Sequence, residues 1–395
     1  MKQSDYFIIF GGGGIRGLCY CGAYKALLEH NIKPTGFAGS SIGAVFASLV
    51  ALGYSFEEIY EILSNTGFEM FIDINVGFKK KDIAALSKGN IFLEWIREKI
   101  EKKFYGDNYK KGEVKPVTFG DIDKKLILYS VDLTNLKFKE FSATKTPDVE
   151  IAVAIRASVS MPGLFTPLEY DDVLLVDGDL LKSTPLWRVS NTIKNLDERI
   201  IEFRLEDNEH PKKIESSVDY INRVYNAICG FATDYIVDLY NEKDKFDYIK
   251  INTKNVSVVD FLIPKDKKKE LYDIGYSTTN KYFDEFFPKK RKKLLSLYKN
   301  FLNLLTKFQK EFNKSNMINS YLKLCEIFVF LCEEKQYVDT CLYEMTVDFK
   351  NLYMQNYKNT SFLGIKSAIV KDKEKVSNEL FNLIKCVGLK IDELN

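Results

Sequence analysis

Histidine is nearly missing from this chain: 395 residues hold only His30 and His210. A hydrolase built on a Ser–His–acid relay would have to draw its base from those two positions. A disulfide framework is also missing. The seven cysteines are odd in number, scattered and without a C-x-x-C pair, which suits reduced thiols in a cytosol. No ligand spacing for zinc or calcium is present, so neither a metal nor another cofactor is expected. A formal net charge of +2 supplies no global field for nucleic acid. No apolar run is long enough to span a bilayer. The nearest, Leu322 to Cys332, is short, carries two charges and reads as a core helix. Met1 to Asp5 lead straight into an apolar run, leaving no room for a signal peptide. The expected location is the cytoplasm, with peripheral contact to a membrane and export by a specialised system left open.

Glycine, by contrast, is concentrated in two places. Gly12-Gly13-Gly14-Ile15-Arg16-Gly17 follows the apolar run Tyr6 to Phe10, and Gly39-Ser40-Ser41-Ile42-Gly43 follows Phe37-Ala38. The second run precedes the apolar stretch Ala44 to Val50. A G-x-S-x-G sequence between a strand and a helix lifts its serine onto a sharp turn. Gly39 and Gly43 leave room for that turn, and Ser41 stands at a helix N-terminus, where negative charge is favoured. The first run can present a row of backbone N–H groups. Together the two supply a nucleophile, Ser41, and an oxyanion hole from Gly12, Gly13 and Gly14. Gly12-x-Gly14-x-x-Gly17 also fits a dinucleotide-binding fingerprint. That fingerprint needs an acidic residue at the end of the next strand, and Gly39-Ser40-Ser41 occupies its place.

The serine needs a base. His30 ends a helix-like run, where a histidine serves the terminal carbonyls. His210 lies in the polar stretch Glu206 to Pro211, which reads as a surface loop, although the order Ser41, Asp177, His210 fits an α/β-hydrolase triad. Asp177 is the better placed. Val173 to Val176 reads as a buried strand, and Asp177-Gly178 ends it, where a carboxylate can meet a nucleophile at the same sheet edge.

These three elements, GGGGIRG, GSSIG and VDGD, resemble the patatin-like phospholipases. The stretch Ala154 to Phe165 is similar to the segment before that family's dyad aspartate. Asp247 to Asn252 with Gly275-Tyr276 is similar to the end of its bacterial catalytic domains. The resemblance implies a Ser41–Asp177 dyad without histidine and a three-layer α/β fold with a mostly parallel central sheet. It implies an oxyanion hole at Gly12, Gly13 and Gly14, a loop shaped by Arg16, and supporting roles for Gly17, Gly39, Gly43 and Gly178. Asp179 stands where the family has a second glycine, and Ser183 where it has an asparagine. A carboxylate at 179 would bear on Asp177 if it pointed inward; strand-end geometry predicts that it turns to solvent.

Strand-like and helix-like runs alternate from Tyr6 to about Ile251, which argues a parallel sheet with helices on both faces. Phe78 to Asp82 and Tyr105 to Lys115 read as loops. The expected division is a catalytic domain at 1–287 and a helical region at 288–395, without a clear strand, for regulation or for membrane or partner binding. Its first helix pairs the basic run Lys289 to Lys293 with apolar residues at helical spacing up to Phe308. That pattern suits a packed helix more than a membrane-surface anchor. The resemblance implies a lipid acyl hydrolase of phospholipase A type, acting on membrane glycerophospholipids. Two alternatives remain: a phospholipase effector with low basal activity, switched on by a ligand or a protein, and a non-catalytic binding module on the same fold.

Overall fold

Tyr6 to Phe10 is apolar on both faces, and such a strand needs cover above and below it. In the computed structural model it forms the centre of a sheet. The structure describes residues 4–73, 85–180, 199–206, 214, 220, 224, 246–254, 256, 258, 263–335, 337–362 and 365–395. The chain divides into two units: Met1–Asn241 with Phe246–Tyr282, and Glu242–Lys245 with Phe283–Asn395.

The strands described in the first unit are β1 (Ser4–Phe10), β2 (Ile32–Gly39), β3 (Lys125–Asp132), β4 (Lys137–Ser142), β5 (Leu168–Tyr170), β6 (Val173–Val176), β7 (Arg199–Glu206) and β8 (Phe246–Asn252). They make one sheet in the order β5-β6-β3-β2-β1-β7-β8, with β4 also paired to β3. β1 runs parallel to both β2 and β7; β2–β3 and β7–β8 are parallel as well. Antiparallel pairing is confined to the β4, β5 and β6 edge. The α/β alternation of the sequence is therefore realised as a mixed sheet with a parallel centre.

The described helices of this unit are α1 (Leu18–Glu29), α2 (Ile42–Ala51), α3 (Phe56–Ser64), α4 (Asn90–Tyr105), α5 (Ile151–Ser158) and α6 (Lys265–Lys281). α2 is buried all round from Gly43 to Ala51, as an apolar helix between layers should be. α1 and α6 meet at facing glycines. A Cβ on Gly22 would lie 2.0 Å from the carbonyl oxygen of Tyr272, and one on Gly275 would lie 1.9 Å from that of Cys19.

The second unit contains α7 (Phe287–Asn313), α8 (Met317–Glu333), α9 (Thr340–Asn356) and α10 (Lys373–Leu394). Leu294, Tyr298, Phe301, Leu305, Phe308 and Phe312 of α7 are buried in a core shared with all three other helices. The apolar stripe that follows the basic run is thus a packed helix face. α8 likewise buries Leu324, Ile327 and Leu331, while Leu322 and Val329 face outward. One expectation fails. An antiparallel hairpin, β9 (Tyr357–Phe362) and β10 (Ile365–Val370), interrupts the helices. Its six-residue strands are too short, and the first too polar, to stand out from a helical background by pattern. Among the described residues no helix is long and apolar enough to cross a membrane.

Candidate active site

Parallel β1 and β2 lie side by side, so the turns after them emerge at one sheet edge, where such sheets bind ligands. The turn after β2 carries Ser41 as the N-cap of α2, with φ 53° and ψ −129°. A non-glycine residue there costs about 1–3 kcal/mol and persists only where its surroundings over-determine it. They do so here. The Ser41 N–H donates to Ser158 Oγ at 3.0 Å, whose own hydroxyl donates to the Tyr129 carbonyl at 2.5 Å. The Ser40 carbonyl accepts from the Gly43 N–H at 2.9 Å. Gly43 is indispensable to this closure, because a Cβ there would sit 2.0 Å from the Phe10 carbonyl oxygen. Gly39 faces Gly43 just as closely, with 2.2 Å from its would-be Cβ to the Gly43 carbonyl oxygen.

The turn after β1 is the glycine loop. Gly13 and Gly14 take φ of +153° and +56°, conformations that glycine alone adopts freely. Arg16 is buried and donates its Nε–H to the Gly13 carbonyl at 3.1 Å, while its backbone N–H reaches the same oxygen at 3.2 Å. Gly17 begins the next turn of chain, where a Cβ would meet Ile42 at 2.4 Å. Gly12 lies against the Asp179 carboxylate, whose Oδ2 would stand 1.9 Å from a Cβ built there. Among the described residues no backbone acceptor takes the N–H groups of Gly13 or Gly14.

Asp177 follows β6, is wholly buried, and accepts the Asp179 N–H on Oδ1 at 2.9 Å. The Asp177-Gly178 turn is tied to the serine turn. Gly178 donates to the Ser158 carbonyl at 3.2 Å, and its would-be Cβ lies 3.0 Å from the Ser40 Cβ.

Asp179 corrects an expectation: it points inward rather than to solvent and is 2 % exposed. The reason is a set of partners that no local rule reveals. Its Oδ1 accepts the Ser40 hydroxyl, and its Oδ2 lies 3.5 Å from Arg204 Nη1 on β7. Burial raises its pKa above the ordinary carboxylate range, and the Arg204 guanidinium opposes that shift.

A cavity of about 110 Å³ opens at Ser41. Ser41 and Thr66 supply the hydroxyls of its described lining; the rest is Gly14 and apolar side chains that include Ile42, Val45, Phe92, Trp95, Met161 and Phe165. Asp177 is not in this wall. Arg156, which the sequence does not single out, braces it from behind. The guanidinium donates to the Gly89 carbonyl at 3.1 Å, to Ser160 Oγ at 2.5 Å and to the Thr166 carbonyl at 3.0 Å, and stacks 5.0 Å from the Phe165 ring. Burial lowers its pKa to about 10. The Oγ of Ser158 and this arginine are the functional supports that sequence reading misses, although both fall in the stretch Ala154 to Phe165.

His30 does not join the site. It ends α1, and its Nε2 lies 2.9 Å from Asn280 Oδ1 rather than serving only the helix carbonyls. His210, Ser183 and the loop Phe78 to Asp82 lie outside the described residues. No group of three or more His, Cys, Asp or Glu side chains able to hold a metal ion occurs among the described residues.

The model of one protein family, the patatin-like phospholipases, matches residues 8–189. Uncharacterized protein R571 of Acanthamoeba polyphaga mimivirus is 27% identical over 273 residues, which span 67% of this chain and 89% of that protein. Probable lipid hydrolase 463L of Invertebrate iridescent virus 6 is 25% identical over 184 residues, 45% of this chain and 61% of that protein. Among solved structures, VipD from Legionella pneumophila is 17% identical with a TM-score of 0.45, covering 98% of this chain and 88% of that one.

Proposed function

Because this chain carries a patatin-like phospholipase domain at residues 8–189, we propose that it is a lipid acyl hydrolase of phospholipase A type, with Ser41 as nucleophile and Asp177 as general base. The observation that carries the proposal is Ser41 itself, held at positive φ on the N-terminus of α2 and facing a mostly apolar cavity. A half-buried hydroxyl facing a cavity has no packing role that warrants the strain.

In the reaction, the acyl chain of a membrane glycerophospholipid fills the cavity and brings its ester carbonyl to Ser41. Ser41 Oγ attacks the carbonyl carbon as its proton passes to Asp177. The oxyanion is received by the N–H groups of Gly13 and Gly14, with the dipole of α2 adding its field. Collapse expels the lysolipid alkoxide, which takes the proton from Asp177. Water, deprotonated by Asp177, then cleaves the acyl-enzyme to free fatty acid. A carboxylate is a weak base in bulk water, and full burial of Asp177 with an apolar cavity in front of Ser41 supplies the poorly hydrated surroundings it needs.

The test is mass-spectrometric product analysis on mixed phosphatidylcholine, phosphatidylethanolamine and phosphatidylglycerol vesicles. Wild type is expected to release fatty acid and lysolipid, with both products falling by about 10⁴-fold or more in Ser41→Ala, as for loss of a serine nucleophile elsewhere. Asp177→Asn is expected to fall comparably. Full activity of Asp177→Asn would overturn the base and turn attention to His210. Full activity of Ser41→Ala would overturn the whole reading.

A further inference from the structure

Asp179 touches all three turns that make the proposed site. On the nucleophile turn its carboxylate accepts the hydroxyl of Ser40, the residue before Ser41. On the glycine loop it packs against Gly12, the residue before Gly13 and Gly14. On its own turn its backbone N–H donates to Asp177 Oδ1 at 2.9 Å. The carboxylate fills the space between the first two: a Cβ built on Gly12 would stand 1.9 Å from Asp179 Oδ2 and 3.1 Å from the Ser41 Cβ. Arg204, 8 % exposed, brings a positive charge from β7 to the far side of the same group. It lies against the loop too, with Nη1 2.9 Å from a would-be Cβ on Gly11.

We propose that Asp179 is a positioning residue that clamps the oxyanion loop to the nucleophile turn and so fixes the distance between Ser41 Oγ and the Gly13 and Gly14 amides. The inference rests on the acyl-transfer reading above and goes beyond it. Asp179 itself neither attacks, nor holds the transferred proton, nor meets the oxyanion. A second glycine, the residue that the resemblance leads one to expect here, could form none of the carboxylate contacts. This chain therefore holds its loop by a bond network where a family member with glycine must hold it otherwise. Two features make a clamp of this kind useful here. The loop runs through positive φ at successive residues, Gly13 and Gly14, so its backbone has little intrinsic preference for one conformation. The acceptor is buried beside the Arg204 guanidinium, where water does not compete for its bonds and the low local dielectric strengthens them.

The clamp predicts a loss in the chemical step with little loss in substrate binding, since the cavity wall contains neither Asp179 nor Arg204. The experiment uses the full chain with p-nitrophenyl butyrate, and measures in parallel the rate of Ser41 modification by a fluorophosphonate, located by peptide mass spectrometry. Asp179→Ala is expected to lower kcat and the labelling rate by about 100-fold, the effect of displacing reacting groups by about 1 Å, with KM within about twofold. Asp179→Asn, nearly isosteric and still an acceptor for one of the two donors, is expected to recover to within about fivefold of wild type by the same geometric argument. Melting midpoints of all variants accompany the rates. Wild-type rates in both variants overturn the clamp. So does an Asp179→Asn variant as slow as Asp179→Ala, or a KM rise that accounts for the loss, since either would mark a general packing role. Absence of labelling at Ser41 in wild type, or undiminished turnover in Ser41→Ala, is a different failure: it removes the acyl-transfer reading on which the clamp stands.

Discussion

A Cβ on Gly43 of the first unit would stand 2.0 Å from a backbone carbonyl oxygen, whereas one on Gly388 of the second would meet nothing within 4 Å. The same residue is obligatory in one place and merely tolerated in the other. The difference extends to the cores around them. The second unit is held by apolar and aromatic packing, with Phe308 stacked on Phe312 and edge-on to Phe349 and Tyr353. The first unit instead buries Ser40, Asp177, Asp179, Arg204 and Glu202. The second unit follows the ordinary rules of stability, and the proposed site departs from them. That contrast, as much as any single motif, supports the proposed site.

The contrast can be tested from both sides. The largest effect on stability is expected in the second unit. Phe308→Ala should cost about 3–5 kcal/mol there, as for other buried phenylalanines, read by urea unfolding, while fluorophosphonate labelling of Ser41 keeps its rate. Gly43→Ala should cost somewhat less, about 3 kcal/mol at the upper end of overpacking penalties, yet abolish labelling. If the two variants lost labelling equally, the separation drawn here between a packed unit and a working one would fail.

Glu202 gives a third test, through pH. It is fully buried on β7 and its carboxylate oxygens find no partner among the described residues. Burial pushes its pKa up to about 8, with Arg204 opposing and Asp179 adding to the shift. The folded protein thus keeps a proton that the unfolded chain loses near pH 4.3. Stability from this group is complete below that value and declines as pH rises towards 8, by at most about 1.4 kcal/mol per pH unit. Urea midpoints at pH 5, 6 and 7 should fall in wild type relative to Glu202→Gln, which lacks the titration. The smallest effect is a gain: Gly388→Ala should stabilise α10 by about 0.5–1 kcal/mol, seen as a higher midpoint with no change in labelling.

Much of the site's vicinity was legible because it is local. A glycine run after an apolar strand, a G-x-S-x-G before an apolar helix and an Asp-Gly after a buried strand each specify their own turn within a few residues. What was not legible depends on partners far away in the chain. Nothing near Asp179 announces that Arg204 will come from another strand to hold it inward. Nothing near Arg156 shows that carbonyls at Gly89 and Thr166 will converge on its guanidinium. The β9–β10 hairpin escaped for the opposite reason: its signal is local but too short to outweigh the helices on either side.

The place of β1 between β2 and β7 has a consequence in time. β2 follows β1 within about thirty residues, but β7 arrives only at Arg199. A chain emerging at about 5–20 residues per second has its nucleophile and glycine loop roughly 7–30 seconds before Asp177, and slightly longer before Arg204. During that interval both glycine motifs exist without the proposed base or the proposed clamp. A chain stopped before β7 would contain Ser41, Asp177, Asp179 and the glycines of both turns, yet lack Arg204 and the strand that pairs with β1 on that side: on the proposed reading, completion of the sheet is what secures the clamp.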